Sequence, residues 1–545
     1  MDLGADHHPA DAPPVVEEQS MTIADTEKLS NSTSPDDDSQ YPGKIKLLVI
    51  ISSLNLAMFL VGLDNTIIST AIPKVTDLFH ALDDVGWYAS AYLLTNCAFQ
   101  LMWGKLYTFY IVKWIYLIAL FLFELGSLIC AVSPSSTALI VGRAIAGVGG
   151  GGVANGSFLL IAYCVPPRQR PTLIGLMGAM YGLAAIVGPL MGGAFTDNPS
   201  LTWRWCFYIN LPLGVLPAVI VVAFISPFTG GGKHGKVSLA DQLKQMDLPG
   251  TLFLLSAIVC LLLALQWGGT MYAWRNGVII ALLVLATAFF VTFGMIQYYS
   301  GDLATVPGRI LSNRNIWGSS IFGSCVVASF FTMLYYIPIW LQAVKDASPT
   351  RSGVMNLPMV LSYVAFSLGS GALTSVIGYY VPFAYLATIF MAIGSGLLST
   401  LKPDSGSAQW IGYQFLFGAG VGCGLQTAFA APQCVLPLED IPIGTAIIIF
   451  TENLASAVMV SVAQSVFINQ LRTHLAKYVP EADSDVILHA GATEIKDLVP
   501  ADLYNAVIFA YNKALCQTFY AGVALSCCAV LGVLALKWVN LKRKE

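Results

Sequence analysis

Four ionisable side chains stand inside long apolar stretches of this sequence: Asp64, Glu124, Arg143 and Glu452. A charge at bilayer depth costs at least about 2.5–3.5 kcal/mol, so each must face a protein interior or a wet cavity. A carboxyl placed there can take up and release a proton, with a neighbouring guanidinium setting how readily it does so. Glu124 and Arg143 fall in consecutive stretches that would run antiparallel, at similar depth. The two can form a structural ion pair. Equally, one of the acids can carry the proton while Arg143 tunes it.

Little else in the chain offers chemistry. The six histidines all fall outside the apolar stretches. Of the eleven cysteines, Cys97, Cys130, Cys260, Cys325, Cys423, Cys527 and Cys528 lie within them, where a small polarisable side chain packs well. There is no CxxC and no Cys/His group at metal spacing, so neither cofactor nor metal is expected. A membrane-embedded acyltransferase or desaturase would need such clusters near the membrane face. A Walker sequence is also missing, which excludes an ATP-driven pump.

The elements that must position these four residues are membrane spans. Of 545 residues, 56% are hydrophobic and 11% charged, against about 25% charged in soluble domains. Apolar runs lie near 47–72, 83–103, 112–132, 137–163, 172–195, 205–226, 249–268, 277–299, 316–343, 353–376, 380–400, 409–432, 442–467 and 516–537. Each can cross roughly 30 Å of hydrocarbon as a helix. The fold class expected is therefore all-α and integral to the membrane, with about fourteen transmembrane helices.

Lysines and arginines orient them. With the N-terminus cytoplasmic, fifteen fall in inner loops and six in short outer loops, so both termini are expected to be cytoplasmic. Residues 1–42, with ten acids and Lys28 as the one base, read as a disordered tail. They lack the features of a secretory signal, so the first span serves as the targeting signal. Segments 468–478 and 501–515 of the outer loop 468–515 alternate at helical spacing. They fit short amphipathic helices on the outer face, or a simple connector.

Glycine concentrates where helices must approach. The run from Gly147 to Gly152 gives the fourth stretch a bare face. GLAAIVGPLMGG, Gly182 to Gly193, puts Pro189 inside the fifth, where it removes a backbone hydrogen bond. Gly149, Gly151 and Phe158 recur as Gly420, Gly422 and Phe429, 271 residues later. Two duplicated six-helix bundles with an inserted helix pair would produce that offset. The expected division is a tail 1–42, a bundle 43–226, loops and the inserted pair 227–315, a second bundle 316–540, and a tail 541–545.

With these motifs in place, the sequence resembles the major facilitator superfamily, in particular its fourteen-span drug:proton antiporter branch and the fungal toxin and multidrug efflux pumps. LDNTIISTAIP (Leu63 to Pro73) looks like that branch's first-helix signature. Arg143 with Gly147 and Gly149 matches its fourth-helix pattern. Gly182, Gly188, Pro189, Gly192 and Gly193 are similar to the antiporter motif, and WRWCFYINLPLG (Trp203 to Gly214) to the lead-in of the sixth helix. The loop after the second helix departs: in GKLYTFYIVK, Gly104 and Leu106 are kept, but Thr108 and Phe109 replace an Asp-Arg pair that usually latches the inner gate. FTENLASA departs too, with Glu452 where related pumps carry a neutral polar residue.

The resemblance implies a monomeric, proton-coupled carrier that exports small, largely apolar compounds by alternating access, most naturally at the plasma membrane. Its partners would be the substrate, protons and the lipid bilayer, with no nucleic acid. Vacuolar transport of basic amino acids, or siderophore transport, would use the same fold.

Overall fold

The computed structural model describes residues 41–79, 84–198, 200–225, 246–269, 271–480 and 500–541. The acidic tail to residue 40, most of the loop after the sixth span, the middle of the outer loop and the last four residues lie outside the described residues.

Fourteen long helices form among the described residues. The first six are α1 (Lys44–Phe79), α2 (Val85–Phe109), α3 (Val112–Val132), α4 (Ser136–Cys164), α5 (Arg170–Asp197) and α6 (Asn210–Phe224), the last preceded by the single turn Trp205–Tyr208. The pair α7 (Leu248–Trp267) and α8 (Gly277–Ser300) follows. Then come α9 (Arg314–Lys345), α10 (Leu357–Ile377), α11 (Val381–Leu398), α12 (Ser407–Val435), α13 (Ile441–Tyr478) and α14 (Ala501–Ala535). The sequence marks their starts. Prolines stand in the first turns of α5, α7, α10, α11 and α13, where no intrahelical N–H bond is lost. Ser135, Asn276 and Asn313 cap α4, α8 and α9 through their side-chain oxygens. Gly378, at φ 88°, ends α10 in the left-handed conformation glycine adopts freely.

Thirteen of these helices are long and apolar enough to cross a membrane by composition. The fourteenth is α2, 25 residues long. Its apolar character is diluted by Trp87, Ser90, Tyr92 and Asn96, which line the central cavity.

Packing follows the repeat. In the first bundle α1 packs on α5 and α6, α2 on α4, and α3 on α4 and α6. Eight helices later the same pairs recur: α9 on α13 and α14, α10 on α12, α11 on α12 and α14. The contacts between bundles, α2 with α13 and α5 with α10, are equivalent under the same rule. The repeated glycines explain the match. A Cβ on Gly149 would meet α3 and one on Gly420 would meet α11, while Gly151 and Gly422 press on α2 and α10. Only bare backbone lets α4 and α12 wedge between two neighbours at that distance. The inserted α7 leans on α2 and α13, and α8 on α7.

The segments 468–478 and 501–515 do not form separate surface helices. They continue α13 and α14, of 38 and 35 residues, past the length a bilayer needs. Their amphipathic stripes face each other instead of a membrane surface. Leu471, Leu475, Val507, Tyr511 and Ala514 are buried, and the rings of Tyr478 and Phe509 meet edge to face with centroids 5.1 Å apart.

Candidate functional site

Between the bundles lies a cavity of about 710 Å³. Its floor is Phe158 stacked on Phe429, ring centroids 4.4 Å apart. These are the two repeat-related phenylalanines, so the stack sits where the halves meet. Below it, toward the face where α1 starts, the bundles are bolted together. Arg170 donates to the Gln433 carbonyl at 2.6 Å, Gln433 to the Phe158 carbonyl at 2.9 Å, and Gln426 to the Pro171 carbonyl at 2.6 Å. Higher up, Tyr363 donates to the Gly178 carbonyl and Asn453 to the Asn96 side chain. Beyond that level the lining runs on through Trp87, Gln464, Phe467 and Ile468 toward the opposite face. The wall is aromatic and amide-rich, a composition suited to drug-sized organic molecules.

One aromatic layer behind the wall lies an ion pair. Arg143 on α4 meets Asp64 on α1 at 2.5 Å, and both side chains are fully buried. The sequence suggested Glu124 as the partner of Arg143, but the guanidinium goes to Asp64. The reason is geometry: α1 and α4 both touch this point, and the guanidinium is drawn inward by further acceptors. Its Nε donates to the Tyr88 carbonyl at 2.8 Å, and the group lies over the Tyr92 ring at 4.5 Å. Asn210 on α6 donates to the other Asp64 oxygen at 3.1 Å and sits 3.2 Å from the Ser127 hydroxyl on α3. Five helices thus converge on one carboxylate. Tyr92 faces both the guanidinium and the cavity, so a change in charge at Asp64 is one ring away from whatever the cavity holds.

Glu124 stays apart. Among the described residues neither carboxyl oxygen has a hydrogen-bond partner, and the group rests against Gly214 of α6, where any Cβ would collide with it. Glu452 on α13 is 4% exposed and lines the cavity. Its Oε1 has no hydrogen-bond partner among the described residues and lies beside Gly323 of α9.

The glycines of the fifth-helix stretch Gly182 to Gly193 divide by neighbour. Gly188 and Gly192 seat α5 on α1 at Thr66, Ile67 and Thr70, inside the first bundle. Gly182 presses on Tyr363 and Val364 of α10, across the bundle interface. A Cβ on Gly193 would meet no atom of the described residues within 4 Å. Helix α5 continues through Pro189 without a break.

At the end of α2, where the sequence led us to expect a gate, Gly104 abuts Pro442, Ile443 and Ala446 of α13, and half-buried Leu106 packs on the core. Thr108 turns its hydroxyl back to the Gly104 carbonyl, 2.9 Å away, and so does not replace the missing Asp-Arg pair. The ties come instead from the strap between α8 and α9. Lys105 donates to the Leu303 carbonyl at 3.0 Å, and Arg309 holds Asp440, at the start of α13, through two nitrogens. That hydrogen bond raises the guanidinium's already high pKa. Buried Asp247 fastens the strap by accepting from the Thr305 N–H and hydroxyl and from Gln297. Sequence reasoning missed this strap, and it missed Tyr88 and Ser127. Asn210 and Gly214 fall inside the motif WRWCFYINLPLG, which marked the stretch without giving either residue a partner.

Comparisons with known proteins agree with this architecture. The family model described as Major Facilitator Superfamily matches residues 54–460. The MFS-type transporter astH of Aspergillus oryzae is 48% identical over 519 residues, covering 95% of this chain and 91% of its own. The MFS-type efflux pump MFS1 of Arthroderma benhamiae is 48% identical over 527 residues, covering 95% and 97%. Among solved structures, the proton:xylose symporter XylE overlays with a TM-score of 0.59 at 15% identity, covering 90% of this chain and 95% of XylE, a likeness of fold. The chain belongs to the major facilitator superfamily, and is a membrane transporter rather than an enzyme.

Proposed function

We propose that this carrier exports small, largely apolar organic compounds in exchange for protons, acting as a monomer in the plasma membrane with both termini cytoplasmic. The observation that carries the reading is the buried Asp64–Arg143 pair set one ring behind an aromatic cavity. Protonation of Asp64 would release the guanidinium, and Arg143 would then reorganise against Tyr92 and the Tyr88 carbonyl. That is a local charge change with a packing readout. The α1-start face, bolted shut here, is the cytoplasmic one in this topology, so the structure corresponds to the outward-facing half of the cycle. Relatives named as efflux pumps support the direction of transport. A potential of 100 mV supplies about 2.3 kcal/mol per charge, enough for one or two protons to drive a useful gradient.

The test is proton flux in reconstituted vesicles loaded with a lipophilic dye substrate. The parent protein should couple dye movement to alkalinisation of the proton-rich side. Asp64→Asn should insert normally and lose coupled movement. Full coupling in Asp64→Asn would sink the assignment.

A further inference from the structure

Helix α7 of the inserted pair changes company along its length. In its first half Leu254 and Ile258 are buried with Cys97 and Leu101 of α2 and with Ile443 and Ile447 of α13. There it fills the crevice between the bundles as ordinary core. Further along, Leu263 and Gln266 line the central cavity beside Trp87 and Ser90 of α2. On the opposite flank the bundles supply the lining themselves, through Tyr181 of α5 and Tyr363 of α10.

Both ends of α7 are held. At the cavity end the Ser90 hydroxyl donates to the Gln266 side-chain oxygen at 2.6 Å, and Trp87 and Trp267 meet edge to face with centroids 6.4 Å apart. A Cβ on Gly86 would collide with the Gln266 amide nitrogen, so bare backbone on α2 lets that side chain lie flat against it. At the other end Asp247 accepts from the Gly250 N–H at 3.0 Å and from Thr305 of the strap. A wall clamped at two points does not yield easily to a bulky guest, and a rigid apolar pocket discriminates by volume.

We propose that the inserted helix α7 is part of the substrate site, with Leu263 limiting the apolar cross-section that the cavity accepts on its Trp87 side. The inserted pair then selects among neutral, apolar cargoes by size as well as filling space between the bundles. This inference rests on the central cavity being the substrate site and is independent of proton exchange.

The experiment is equilibrium binding to the purified full-length carrier in detergent, with no gradient present. The probes are two neutral molecules of one chemistry, triphenylphosphine oxide and the bulkier tris(1-naphthyl)phosphine oxide. Leu263→Ala should raise the affinity for the naphthyl probe relative to the phenyl probe about tenfold, and Leu263→Trp should lower that ratio by about the same factor. Phe331→Ala, on the α9 wall of the same cavity, should weaken both probes. A ratio unmoved by both Leu263 variants while Phe331→Ala weakens binding would overturn the role of α7 and leave the cavity as the site. Parallel loss of both probes in both Leu263 variants would mark a structural leucine and overturn it too. If Phe331→Ala and the Leu263 variants all bind like the parent, the cavity reading falls and this inference with it.

Discussion

Removing either member of the Asp64–Arg143 pair strands the other charge in a fully buried place. Breaking a buried pair from one side typically costs about 3–5 kcal/mol, whereas removing both charges together costs far less. Asp64→Asn and Arg143→Gln should each lower the unfolding temperature of the detergent-purified carrier. The double variant should regain much of that loss while remaining unable to couple transport. Additive losses in this cycle would show that the two groups do not interact. A second residue-scale prediction separates two glycines of one motif. Gly188→Val would push into Thr66 and the Ile67 backbone nitrogen, while Gly193→Val enters open space. Overpacking of this kind costs about 1–3 kcal/mol. Gly188→Val should therefore reach the membrane and lose substrate-linked proton flux, and Gly193→Val should behave like the parent. Parental coupling in Gly188→Val would reduce this glycine to a packing detail. The four membrane-embedded charges were legible from the sequence because apolar runs make them conspicuous. Which acid meets Arg143 was not legible. That choice depends on α1 crossing α4, a contact between residues 79 positions apart, while adjacency along the chain favoured Glu124.

At the scale of elements, the strap between α8 and α9 ties the end of α2 to the beginning of α13. The Arg309–Asp440 pair is partly exposed, so its worth is at most about 1 kcal/mol, or roughly fivefold in the balance between closed and open gate. Either Arg309→Asp or Asp440→Arg alone should open the gate more often, and the two together should close it again. The reporter is Ile174→Cys on the cavity wall, with the exposed Cys527 and Cys528 changed to Ser. Its labelling by a membrane-impermeant thiol reagent from the cytoplasmic side should rise about two- to fivefold in each single swap. Labelling that stays flat in both would show that the strap holds nothing shut. The missing Asp-Arg pair was visible in GKLYTFYIVK, but its substitute was not. The strap carries no periodic signal, and its ties run through the Leu303 carbonyl, the Arg309–Asp440 ion pair and the capping Asp247, residues far apart in the chain. Helix number and order were legible because length and apolarity alone decide them. The paired extensions of α13 and α14 were misjudged because an amphipathic stripe looks the same whether it faces lipid headgroups or a neighbouring helix.

For the whole molecule, the topology predicts that a reporter fused after Glu545 stays in the cytosol. A tag inserted near residue 485 should be reached by antibody on unpermeabilised cells. Protection of that tag at the plasma membrane, with the carrier present there, would invert the orientation and with it the direction of export. The duplicated architecture was legible in one recurring trio, Gly149, Gly151 and Phe158. The same offset of 271 residues, read further along the chain, also pairs Tyr92 with Tyr363 and Tyr181 with Glu452. What no repeat could reveal is where the inserted pair settles. It lies against α2 and α13, while among the described helices no equivalent pair covers the meeting of α5 and α10. The carrier is consequently lopsided toward the bilayer. One flank is walled by α7 and α8. The other is a single seam of small residues, Gly175, Gly178, Ser367 and Gly371, beside lipid-facing Leu183 and Leu361. Between the cavity and the surroundings, one flank is two helix layers deep and the other is a single seam closed by the bonds of Tyr363 to Gly178 and of Ser367 to Gly175.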